Sequence, residues 1–153
     1  MKVQLIRDSC KGAPQTVAEQ GFRDGNTRLF KWITFGKIYE VHAMILLLKG
    51  EIGFCIVPNF TQYITPGDTR NIKWLPSWFF KVVDHTMPDD WECHSTINDG
   101  IIIGPAFISE SHEAYCTMVD LYPDQRKRFW DRIERLRIER GESADVEICI
   151  VPD

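Results

Sequence analysis

The chain has 153 residues, 44% hydrophobic and 26% charged, with a formal net charge of −4 and a pI near 5.6. That composition suits one compact domain, or two small ones packed together, with a real apolar core. It speaks against a general nucleic-acid binder, because such binding rests on phosphate neutralisation by Lys and Arg.

The longest apolar run, Ala43 to Leu48, is strand-sized and far short of a membrane span. The N-terminus has a lysine but no apolar stretch and no small-residue cleavage site, so it does not read as a secretory signal, and a cytoplasmic location is expected. The five cysteines (Cys10, Cys55, Cys93, Cys116, Cys149) are odd in number and scattered without any CxxC, which argues against a disulfide framework and a ribbon-type zinc site. Charge is uneven along the chain: residues 126–140 hold seven basic and three acidic residues, +4 in all, which leaves −8 for the remainder.

In chain order, a short strand over Val3 to Arg7 precedes residues 8–28, which are rich in turn formers and read mostly as loop. From Phe30 onward two β-rich runs meet at Lys49-Gly50-Glu51, and this predicts a hairpin. Strict alternation would place Tyr39, Val41, Ala43, Ile45 and Leu47 on one apolar face. The other face reads Ile38, Glu40, His42, Met44, Leu46, Leu48, polar and then apolar, so the far end of the hairpin needs a cover from the C-terminal half or from a partner. Residues 58–71 form a turn-rich connection. After it, Trp74 ends a strand, Leu75 to Trp78 make a proline-started helical turn, and Phe79 to Val83 resume extended structure.

Over residues 30–84 this order resembles an SH3-like barrel. Phe35, Gly36, Ile38 and Val41 match the early strand entry of that family, and Pro76, Ser77 and Phe79 match the 3₁₀ turn before its last strand. The resemblance implies an antiparallel barrel in which Trp74, Trp78, Phe79 and Phe80 close the bottom. The first-strand motif and the tryptophan of peptide-binding SH3 domains are missing, which speaks against a receptor for proline-rich helices.

The second half begins with a turn, gives a short strand at Ile101 to Ile103, and continues into two helices. Ser109 is the expected N-cap of the first, whose apolar face would hold Ile108, Ala114, Tyr115, Met118 and Val119. The second spans about 123–140 from Pro123 to a stop at Gly141, burying Phe129, Ile133 and Leu136 with an Asp131–Arg135 pair outside. Interleaved Asp131, Glu134 and Glu139 mark its basic side as a solvated face rather than a nucleic-acid contact. A last strand is expected over 145–153. The expected fold class is α+β, and the resemblance implies an SH3-like barrel with an N-terminal extension over 1–85, with an α/β appendage over 86–153 packed on it as one unit.

No P-loop, GxGxxG, GxSxG or HExxH is present. Cys93, His94, His112 and Cys116 are the residue types of a tetrahedral zinc set or a Cys/His enzyme, but adjacent Cys93 and His94 would point apart on a strand. No catalytic residue, metal or cofactor is assigned. The acidic balance, small size and apolar hairpin end fit a binding protein, and in these features the chain resembles immunity proteins that neutralise bacterial toxins; phage-encoded inhibitors of host defence share them. The resemblance implies occlusion of a basic protein partner, such as a nuclease toxin, by acids set beside aromatics. The candidate contact residues are Asp84, Asp89, Asp90, Trp91 and Glu92, with Glu40 and His42.

Overall fold

The computed structural model describes residues 1–22, 33–47, 50–57, 72–96, 100–120 and 122–141, with the backbone alone at Ser95 and Thr96. Among them run β1 (Lys2–Leu5), α1 (Gln15–Glu19), β2 (Ile38–Leu46), β3 (Ile52–Ile56), β4 (Lys73–Pro76), a 3₁₀ turn (Ser77–Phe79), β5 (Phe80–Asp84), β6 (Trp91–Thr96), β7 (Gly100–Pro105), α2 (Ala106–Ser109), α3 (His112–Val119) and α4 (Pro123–Glu139). The architecture is α+β, as the sequence predicts. Strands lie antiparallel in the order β4-β3-β2-β1-β5, and β7 pairs with both β2 and β6.

Strand β2 is the hub. Its first residues pair with β1 and its last with β7 along one edge, while β3 takes the other edge. The expected barrel does not close by hydrogen bonding: β4 and β5 sit at opposite ends of the strand order, joined through the 3₁₀ turn. Pro76 opens that turn with φ near −55°, the angle its ring enforces, and Phe80 returns to extended geometry.

The alternation along β2 breaks at His42. Val41 pairs with Ile56 and Ala43 with the next residue back, Cys55, so His42 is an extra residue, a β-bulge. Tyr39 and Val41 consequently belong to one core with Val3, Leu5, Phe54, Ile56, Leu75, Phe79 and Phe80. Ala43 and Ile45 belong to a second core with Cys55, Ile102, Ile108, Met118 and Phe129, and Leu47 packs against it. The single apolar face that alternation suggests is in fact two, on opposite sides of the sheet. The second is covered by α2, α3 and α4, so the C-terminal half covers one side of the hairpin end; on the other side Met44 packs against the first core and Leu46 stays exposed.

Several boundaries differ from expectation. Residues 15–19 are helical rather than loop, held by Val17 in the first core. The cap of α3 is Ser111, whose Oγ accepts from Ala114 N at 3.0 Å; Ser109 is buried and donates to Gly104 O at 3.1 Å. Val119 is exposed. Residues 91–96, for which the sequence predicts no strand, form one because β7 offers them a partner along its whole length. Helix α4 has Pro123 at its start, Asp124 at the positive end of the dipole, Arg137 at the negative end and Gly141 at φ +68° beyond it. The expected 145–153 strand and the 58–71 connection lie outside the described residues.

Two glycines bracket the end of β2. Gly50 sits in the hairpin at φ +82° with open space around it, whereas Gly100 has φ +123° and a Cβ there would lie 1.8 Å from Leu46 O. Gly50→Ala therefore carries backbone strain alone, on the order of 1 kcal/mol. Gly100→Ala adds a clash with the backbone of β2 and is expected to cost about 3 kcal/mol or more, read from urea unfolding of the two variants side by side.

Candidate functional site

The end of the sheet holding β1 and β5 builds a row of alternating charge. Lys2 is opposite Glu40 of β2 on one side and opposite Asp84 of β5 on the other. A second bulge makes this row possible. Lys2 pairs with Asp84 but Val3 pairs with Val82, so Val83 is the extra residue. Without it, Asp84 would share the core-facing side of Val82; with it, Asp84 joins Lys2 and Glu40.

That row lies in a cleft of about 540 Å³. Its other walls are the turn from Thr86 to Asp90 and the C-terminal end of α4, through Arg135, Leu136, Glu139 and Arg140. Four of the seven candidate contact residues, Glu40, Asp84, Asp89 and Asp90, thus meet from two stretches of the chain, β2 and the end of β5 with the turn after it.

Two of these four acids are already engaged by the basic helix. Arg132 is 5% exposed and donates to both oxygens of Asp90, at 2.6 and 2.7 Å, and Arg135 Nη2 approaches the same carboxylate at 3.6 Å. The Arg132 hydrogen bonds hold the Asp90 carboxyl below its ordinary range. Arg140 makes a second bidentate pair with Glu40, at 2.8 and 2.5 Å. Burial alone would raise the Glu40 carboxyl, but the Arg140 hydrogen bonds and neighbouring positive charge outweigh it, and the group sits below its ordinary value.

The other two acids face the opening. Asp89 is exposed and makes no ion pair with another described residue; Asp84 accepts from Thr86 N at 2.9 Å, a turn contact that lowers its carboxyl. Met87, 49% exposed, stands between them in sequence and also lines the cleft.

The remaining three candidates lie elsewhere. His42 is buried beneath α4 with its ring edge-to-face on Phe129 at 5.2 Å, and its Nδ1 has no hydrogen-bond partner. Trp91 packs against the first core. Glu92 is on β6, where it meets His94 Nε2 at 3.2 Å. The structure also separates the Cys/His set: Cys93 and His94 are adjacent on β6 and point to opposite faces, while His112 and Cys116 are together on α3. Among the described residues no three His, Cys, Asp or Glu side chains are gathered as a metal site. No helix there is long and apolar enough to cross a membrane.

Sequence reasoning missed Arg132, Arg135 and Arg140. The basic side of α4 is not simply solvated, because three of its arginines turn back onto acids of the same chain. The expected Asp131–Arg135 pair is replaced by Lys127–Asp131 at 2.6 Å and by Arg135 with Asp90 and, at 3.9 Å, Glu139. A spacing clue did exist: Arg132 falls between Phe129 and Leu136 on the apolar side of the helical repeat.

The two kinds of acid predict different responses to mutation. Asp90→Ala leaves the buried Arg132 guanidinium unpaired and should cost about 3 kcal/mol, whereas Asp89→Ala should stay within about 0.5 kcal/mol in chemical denaturation. His42 gives a pH dependence of its own. Burial, against the pull of Glu40 and with Arg132 and Arg140 nearby, lowers its pKa from 6.5 to about 4. The unfolded chain therefore binds a proton that the folded chain refuses, and stability is full above pH 6.5 and falls as pH drops toward 4. The loss amounts to roughly 3 kcal/mol over that window. His42→Met should flatten this part of a pH series of urea transitions. The loss tied to Asp90 and Glu40 should remain, since it sets in lower, as pH falls through their depressed folded values.

In comparisons with known proteins, the chain matches no protein-family model, no curated protein and no solved structure.

Proposed function

We propose that this chain is a non-catalytic binding protein that occludes a basic protein partner through the cleft between β1, β5 and the end of α4. The observation that carries the reading is that Asp84, Asp89 and Asp90, from one stretch at the end of β5, meet Glu40 of β2 in that cleft. Asp90 and Glu40, tied to arginines, act as its frame. Asp84 and Asp89 are the charges that meet the partner, and Met87 between them offers apolar contact of the kind that gives an interface its affinity.

A net charge of −4, with Arg132, Arg135 and Arg140 paired to acids of the same chain, favours a basic surface at this opening. Inhibition of a nucleic-acid-cleaving toxin, or of another basic protein in a host, is the type of activity such a surface serves. It acts by covering the partner's own anion-binding groups.

Removing framework and contact acids together would confuse folding with binding, so the variant that tests this reading is Asp84→Lys with Asp89→Lys. Tagged wild-type chain should retain a basic protein from its native cell extract in stoichiometric amount. The double variant should associate with the purified partner about tenfold more slowly at low salt, with the difference shrinking as salt rises. An association rate indifferent to both reversals, or a chain that retains nothing at any salt, sinks the proposal.

A further inference from the structure

Helix α3 brings together two groups that the cleft does not use. His112 and Cys116 are four residues apart, hence on one face, and Sγ lies 3.4 Å from Nε2. The pair is held on an ordered frame: Ser111 caps the first turn through Ala114 N, and the backbone N of Asp120 donates to the Cys116 carbonyl at 2.8 Å. Among the described residues Cys116 is the polar partner that the imidazole has, since Nδ1 is buried without one.

The other described cysteines lack one requirement or the other. Cys10 is buried; Cys55 is buried completely, and burial pushes its thiol far up. Cys93 is exposed, but the neighbouring His94 points to the opposite face of β6 and is engaged with Glu92. Cys116 alone among them combines partial exposure with an imidazole in contact.

We propose that Cys116 is a site of reversible S-thiolation, primed by His112 for exchange with low-molecular-weight disulfides. The step balances without a further reagent. The Cys116 Sγ proton passes to His112 Nε2, and Sγ attacks one sulfur of the disulfide. A new sulfur–sulfur bond forms as the old one breaks. The departing thiolate takes the proton from Nε2 and leaves as the free thiol, so the disulfide is reduced as Cys116 is oxidised. His112 is here a positioning and proton-holding residue, and the site stands whether or not the cleft binds a basic protein.

The test uses the full chain with oxidised glutathione at neutral pH, followed by peptide mapping over time, with Cys93 as an internal control for simple exposure. Cys116 should form the mixed disulfide about tenfold faster than Cys93, despite being less exposed. His112→Ala and His112→Gln should each bring Cys116 down to the rate of Cys93 or below, without altering Cys93 itself or the unfolding midpoint. A wild-type Cys116 slower than Cys93 overturns the proposal. So does a Cys116 rate unchanged in whichever His112 variant keeps the wild-type midpoint.

Discussion

The bulge at His42 is the constraint on which the rest of this structure depends. One extra residue in β2 moves Ala43 and Ile45 to the side of the sheet opposite Tyr39 and Val41, and so divides the apolar residues of one strand between two cores. The strand needs both of its partners on one edge for the same reason: β1 pairs with its beginning and β7 with its end. Each core then has its own lid. The 3₁₀ turn and β5 cover the first, and the three C-terminal helices cover the second.

Helix α4 is fixed by apolar and ionic contacts that depend on one another. Phe129 is buried against the second core and the His42 ring, which brings Arg132, one turn further on, over Asp90. A guanidinium placed there is tolerable only with its carboxylate in place, because a buried charge without a partner is costly. The Arg140–Glu40 pair then ties the far end of the helix to the strand that carries the bulge. The same arginines that secure the helix also use up two of the acids in the cleft, and the acids left to face solvent come from the end of β5 and the turn after it.

The aromatic cluster from Trp74 to Phe80 illustrates how far residue type alone can be read. Phe79 and Phe80 are buried in the first core. Trp74 turns to the other side and meets Tyr115 of α3 edge-to-face at 5.6 Å, while Trp78 is stacked on by Arg7, with the Arg7 Cζ 4.6 Å from its ring centroid. The stretch is structural, but it serves both cores rather than one. The 3₁₀ turn within it was legible because proline fixes its own φ; the division of its rings was not, because it follows from strand register.

What the sequence by itself determined is local. Hairpin residues, the proline that starts α4, the glycine that ends it, the α+β class and the concentration of basic residues over 126–140 all follow from short-range backbone preferences and composition. Tertiary structure decided where alternation fails and which charges meet. The bulges at His42 and Val83 have no signature in the residues that form them, since each arises from the register in which two strands pair, neighbours in a hairpin for His42 and distant in sequence for Val83. The pairing of Arg132 with Asp90 and of Arg140 with Glu40 spans 42 and 100 residues. Such contacts are set by where a helix docks on a sheet, and no local preference of either residue encodes that position.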